Sequence, residues 1–140
     1  MNKPALTSSA AVLLVKDVSA AADYYREKLG FGCDDFFGEP PSFCILHRET
    51  CYLMLKQADD PERIIPHWTV SGKLWNVYFW VTDADGLFRE LTDRGAIIDY
   101  GLCYKPYGCR EFGVRDLDGY DLGFGQHIPN RGLSSCLPFF

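Results

Sequence analysis

The chain repeats itself. Asp17 and Asp83 lie 66 residues apart, and each opens a stretch with apolar side chains at helical spacing. In the first stretch these are Ala21, Tyr24, Tyr25 and Leu29. In the second they are Ala84, Leu87, Phe88 and Leu91, at i, i+3, i+4 and i+7. Each stretch ends at a glycine, Gly30 or Gly95, suited to the left-handed position that closes a helix. Ser19 is the expected cap of the first helix and Asp83 of the second. A strand-like run precedes each helix, residues 10–16 and 74–82, and three follow it: 31–37, 43–47 and 51–56, then 96–104, 110–115 and 120–124. Each half therefore reads βαβββ. The repeats run from about 6 to 56 and from 74 to 126, with a polar, proline-bearing linker at 57–73 and a tail at 127–140. A half with one helix on one sheet face leaves its other face in need of a partner. Two such curved half-sheets facing each other would enclose a cleft. The fold class expected for residues 1–126 is α+β, one domain of two paired βαβββ modules.

The last two runs are joined by Asp116-Leu117-Asp118-Gly119, which has the composition of a tight hairpin turn. Phe112, Val114, Leu122 and Phe124 form one face of this hairpin. Gly113, Gly123 and Gly125 leave the other without bulk, as in a strand whose backbone something approaches closely.

Composition excludes some partners and favours others. With a net charge of −5 and 14 scattered basic residues, the chain lacks the clustered positive surface that nucleic acid requires. No apolar run is long enough for a membrane span, and the first residues lack a signal peptide's apolar stretch, so a cytoplasmic location is expected. The six cysteines show no C-x-x-C spacing and read as small buried hydrophobes rather than as a disulfide framework. An aromatic content of 15% exceeds what a core of this size asks for and suggests a ring-lined pocket.

Three segments carry a family resemblance: V-K-D-V-S-A-A-A-D-Y-Y-R-E-K-L-G-F at 15–31, V-T-D-A-D-G-L-F-R-E-L at 81–91, and the hairpin. Together they resemble the glyoxalase/bleomycin resistance/dioxygenase superfamily, over about residues 6–126. L-T-S-S at 6–9 with P-Y-G-C-R-E-F-G-V-R-D at 106–116 looks most like the bleomycin-binding resistance proteins, which sequester a drug without chemistry. The resemblance implies a homodimer with clefts between half-sheets. It also implies metal-ligand positions that fall here on Ala10, Asn76 and Gly123, with none within Tyr52–Leu55. A methyl group and a hydrogen offer no lone pair, and one amide oxygen is a weak donor, so neither metal nor other cofactor is expected. The hinge proline of the exchanged N-terminal arm in those relatives is replaced by Ala11.

The ligand-binding residues expected are Phe43, Asn76, Tyr78, Trp80, Tyr104 and Tyr107. If Asn76 faces the cleft, period two sends Tyr78 and Trp80 the same way and Val77, Phe79 and Val81 toward the helix. Tyr107 matches the stacking ring of the drug-binding loop, and Phe43 matches another. Glu111 reads as an ion pair with Arg110. The expected function is metal-free binding of a small aromatic or cationic molecule, as in antibiotic sequestration, with no catalytic residue assigned. The alternative is a metal-dependent lyase, isomerase or dioxygenase using ligands outside the family set, such as His47 and Glu49.

Overall fold

A computed structural model describes residues 3–129. It has two four-stranded mixed sheets and two helices in an α+β arrangement. The first half is β1 (Ala10–Val15), α1 (Val18–Leu29), β2 (Gly32–Phe37), β3 (Phe43–Arg48) and β4 (Cys51–Gln57). The second is β5 (Val77–Trp80), α2 (Ala84–Arg94), β6 (Ile97–Lys105), β7 (Cys109–Arg115) and β8 (Asp121–His127). The strand orders are β1-β4-β3-β2 and β5-β8-β7-β6, the same pattern twice. In each sheet the strand before the helix pairs parallel with the last strand, and the other pairs are antiparallel.

The helix boundaries follow from local chemistry. Asp17, not Ser19, caps α1. Its carboxylate accepts the backbone N–H of Ser19 and of Ala20, satisfying donors that the helix itself cannot, whereas Ser19 already lies inside the first turn. Asp83 caps α2 through the N–H of Gly86. Gly30 and Gly95 close the helices at φ of 73° and 89°.

The segment between the halves is more structured than a linker. Two 3-10 turns, Pro61–Arg63 and His67–Thr69, occupy it. The indole N–H of Trp68 donates to Gly119 C=O at 2.6 Å, tying this segment to the β7–β8 turn. β8 extends to His127, the first residue of the expected tail; residues 130–140 lie outside the described part of the chain.

The helix-bearing faces of both sheets join in one core. A relay of rings crosses between the halves from Tyr25 to Phe31, Phe79, Phe124 and Phe112, with centroids 5.1–5.9 Å apart. Burying each such ring stabilises by on the order of 2 kcal/mol. Polar bonds stitch the same seam. Tyr24 Oη donates to Arg115 C=O, Tyr25 Oη to Asp116 Oδ2, and Tyr120 Oη to Leu14 C=O, each at 2.6 Å. Because the two helix faces are spent on one another, the opposite face of the first sheet is uncovered, with Val12 61% and Leu14 44% exposed. One chain thus does not close a cleft between its own half-sheets.

Cys44 and Cys109 are buried, and Cys33, Cys51 and Cys103 are half-buried; Cys136 lies outside the described residues. No described helix is long and apolar enough to cross a membrane.

Candidate functional site

The open face of the second sheet is built on missing side chains. Gly113, Gly123 and Gly125 stand on β7 and β8 where a Cβ would collide with neighbouring rings: Tyr100 over Gly113, Tyr78 and Trp75 over Gly123, and Tyr78 Oη over Gly125. What approaches these glycines is the protein's own aromatic set, laid flat against the sheet.

Those rings aim their hydroxyls at one buried carboxylate. Glu111 on β7 is 0% exposed. Its Oε1 accepts from Tyr78 Oη at 2.8 Å and from Tyr107 Oη at 2.5 Å, and its Oε2 from Tyr100 Oη at 2.5 Å. Trp75 Nε1 in turn donates to Tyr100 Oη at 2.9 Å. Burial, then the bonds to Glu111 and its charge, push all three phenols well above their ordinary range, so they remain neutral donors. Three charge-assisted bonds supply the donors that a buried carboxylate otherwise lacks.

Arg110 does not pair with Glu111. Successive residues of a strand point to opposite faces, and Arg110 turns toward α2, where it makes a two-pronged pair with Asp85, 2.9 Å at each prong.

Beside this cluster lies a cavity of about 530 Å³, lined by residues of the inter-half segment and the second half only. Trp68, Trp75 and Tyr100 give it ring surfaces; Asp99, Glu111 and Asp121 give it carboxylates; Lys73, Lys105 and Arg115 give it cations. The Arg115 guanidinium lies 4.0 Å from the Trp68 ring centroid and pairs with Asp99 at 3.1 Å.

Of the residues expected from sequence, Tyr78 and Tyr107 are brought together on Glu111, with Trp75 edge-on to both. Val77 and Phe79 point toward the core, as period two requires. Trp80 extends the row from Tyr78, at 4.9 Å, but is 67% exposed and borders a second cavity of about 450 Å³ at the seam of the halves. Asn76 precedes β5, and its Oδ1 accepts the N–H of His67 at 2.9 Å, so its side chain holds the 3-10 turn. Tyr104 is not brought to this face: paired in register with Arg110, it lies under that guanidinium at 4.6 Å on the opposite side of the sheet. Phe43 sits on the uncovered face of the first sheet beside Phe37.

Trp68, Trp75, Asp99, Tyr100, Arg115 and Asp121 were not anticipated. The signal available for the rings was the glycine set: three bare positions on one sheet face call for large partners above them.

The residues present do not fit the family's metal. Gly123 is roofed by Tyr78 and Trp75, the Asn76 oxygen is engaged by His67, and Ala10 stands in register with Tyr52. His47 Nδ1 lies 2.8 Å from Asp34, while Glu49 is engaged with Arg48. Among the described residues no three metal-binding side chains gather.

The family model described as the Glyoxalase/Bleomycin resistance protein/Dioxygenase superfamily matches residues 8–124. Among solved structures, TioX from Micromonospora sp. ML1 is 25% identical, with a TM-score of 0.69, over 87% of this chain and 99% of that one. TnmS3, an antibiotic binding protein from Streptomyces sp. CB03234, is 22% identical, with a TM-score of 0.68, over 90% and 99%. The bleomycin-binding protein of bleomycin-producing Streptomyces verticillus, complexed with copper(II)-bleomycin, is 23% identical, with a TM-score of 0.65, over 91% and 100%. No curated protein matches the chain in sequence.

Proposed function

The chain belongs to the glyoxalase/bleomycin resistance protein/dioxygenase superfamily, and from that premise we propose that it binds a small aromatic or cationic molecule without metal, as in antibiotic sequestration. The observation that carries this reading is the Glu111 cluster. Three phenols bonded to a buried carboxylate, and an indole bonded to one of those phenols, are held on one sheet face over the glycines beneath them. A fixed ring surface loses little freedom on binding, and each stacked ring adds about 0.5–1.5 kcal/mol beyond buried area. The cavity of about 530 Å³ is of the size that drug-like molecules occupy. Support also comes from two structures of the same fold, one described as an antibiotic binding protein and the other complexed with copper(II)-bleomycin.

The site is completed by a second copy. Val12, Leu14, Phe37 and Tyr52 are exposed on the face that the first half-sheet leaves uncovered. Laid over the ring surface of a partner, that face would bury both and bring Phe43 toward the ligand. Trp80 belongs to the rim of such a cleft.

The alternative enzyme would recruit metal at His47 and Glu49. These side chains turn to separate partners, Asp34 and Arg48, which disfavours a shared metal. A thermal-shift panel on chelator-treated protein separates the two readings. A rise in melting temperature with metal-free bleomycin or another planar cationic aromatic compound, and none with Zn, Ni, Mn or Fe ions, is the expected result. A rise with metal ions alone would overturn the binding assignment.

A further inference from the structure

The phenol cluster leaves one wall of the cavity unexplained. Asp121, at the start of β8, is 2% exposed, lines the cavity, and its Oδ1 receives no hydrogen bond. Asp99 on β6 is hydrogen-bonded to it and pairs with the Arg115 guanidinium of β7 at 3.1 Å, whose charge also reaches Asp121. Arg115 is further fixed by its stack on Trp68, and its Nε faces no acceptor. Of the other charged groups around the cavity, Lys105 on β6 lies over the Tyr100 ring, Glu111 is occupied by its phenols, and Lys73 comes from the segment before β5. Asp121 therefore shares a hydrogen bond with the Asp99 carboxyl and keeps its buried Oδ1 without a donor.

A buried carboxylate in this position has two ways to be neutralised: a proton, or an N–H⁺ group brought in from outside. Burial, together with the neighbouring Asp99, pushes the Asp121 carboxyl up to about 7, so near neutral pH the proton is easily displaced. The rings of Trp68, Trp75 and Tyr100 stand within the same cavity.

We propose that this cavity selects ligands carrying a protonated nitrogen on a planar ring system, the nitrogen donating to Asp121 and the ring lying against the tryptophans. This assignment rests on the cavity being the ligand site, and it narrows the ligand class from aromatic or cationic to both at once.

A matched pair of probes tests it: 2-naphthylmethylamine, charged at neutral pH, and 2-naphthylmethanol, its neutral counterpart. Calorimetric titration of the full chain at pH 8 is expected to show the amine binding about tenfold or more tighter than the alcohol. At pH 6 the amine must compete with the Asp121 proton, and linkage lowers its affinity about tenfold while the alcohol's stays flat. In Asp121→Asn the preference for the amine is expected to disappear. Should that variant fail to fold, as judged by circular dichroism, the wild-type pH series decides. Equal binding of amine and alcohol at pH 8 would overturn the role of Asp121 and leave the cavity as an aromatic site. An amine preference that survives Asp121→Asn, or that is insensitive to pH, would place the cation elsewhere. Binding of neither probe would overturn the cavity reading and this inference with it.

Discussion

The Tyr78 hydroxyl occupies the space above Gly125 where any other residue would carry its Cβ. That single relationship links the strand sequence to the site. The glycine lets the ring lie flat, and the flat ring delivers its hydroxyl to Glu111. Gly125→Ala is expected to push the ring off the sheet and to destabilise the protein by about 1–3 kcal/mol in urea unfolding. In the double variant with Tyr78→Ala the cost should fall well below the sum of the single costs. Strict additivity would mean that the two positions are independent.

Glu111→Gln tests the carboxylate itself. An amide offers one acceptor oxygen where three phenols need partners, and it adds two N–H donors of its own. A loss on the order of 3 kcal/mol in stability is expected. A variant as stable as the wild type would show that the phenols do not depend on the charge.

Asp116 predicts a pH dependence with a definite sign. It is buried in the β7–β8 turn, where burial outweighs its bonds to Tyr25 Oη and to the N–H groups of Tyr120 and Asp118, and its carboxyl is pushed up to about 6. A carboxyl raised in the folded state stabilises while both states hold the proton. That contribution is lost as pH rises, because the unfolded chain ionises near 4 while the folded one waits until about 6. Wild type should therefore lose about 2 kcal/mol relative to Asp116→Asn between pH 4 and pH 6.5. Parallel stability curves for the two proteins would refute the shift.

The uncovered first half-sheet predicts assembly. Wild type is expected to sediment as a dimer, and Val12→Asp, placing a charge on the exposed apolar face, should sediment as a monomer with unchanged circular dichroism. A monomeric wild type would remove the second copy from the site.

The repeat of Asp17 and Gly30 in Asp83 and Gly95 made both modules legible in sequence, because caps and stops are set by residues within a turn of each helix end. The hairpin turn was legible for the same reason: Asp116 and Gly119 act locally. The cluster on Glu111 was not. It joins Tyr78, Tyr100 and Tyr107 from β5, β6 and the β6–β7 turn, and only the strand order and register place them together. Tyr104 shows the same limit in reverse. Register shifts in β6, between Ile98 and Tyr100 and again between Tyr100 and Cys103, interrupt simple alternation, and its pairing with Arg110 sets Tyr104 on the helix side.

The central claim is metal-independent binding at the ring surface, and the most direct test is a titration of intrinsic tryptophan fluorescence with metal-free bleomycin on chelator-treated protein. Trp75, beside Tyr78 and Tyr107, is the reporter, and Trp75→Ala is the control. Saturation at one drug per subunit, with the drug recovered unchanged and affinity reduced on the order of tenfold in the control, is the expected result. A flat titration, flat also by calorimetry and converted to binding only when a divalent ion is restored, would contradict it.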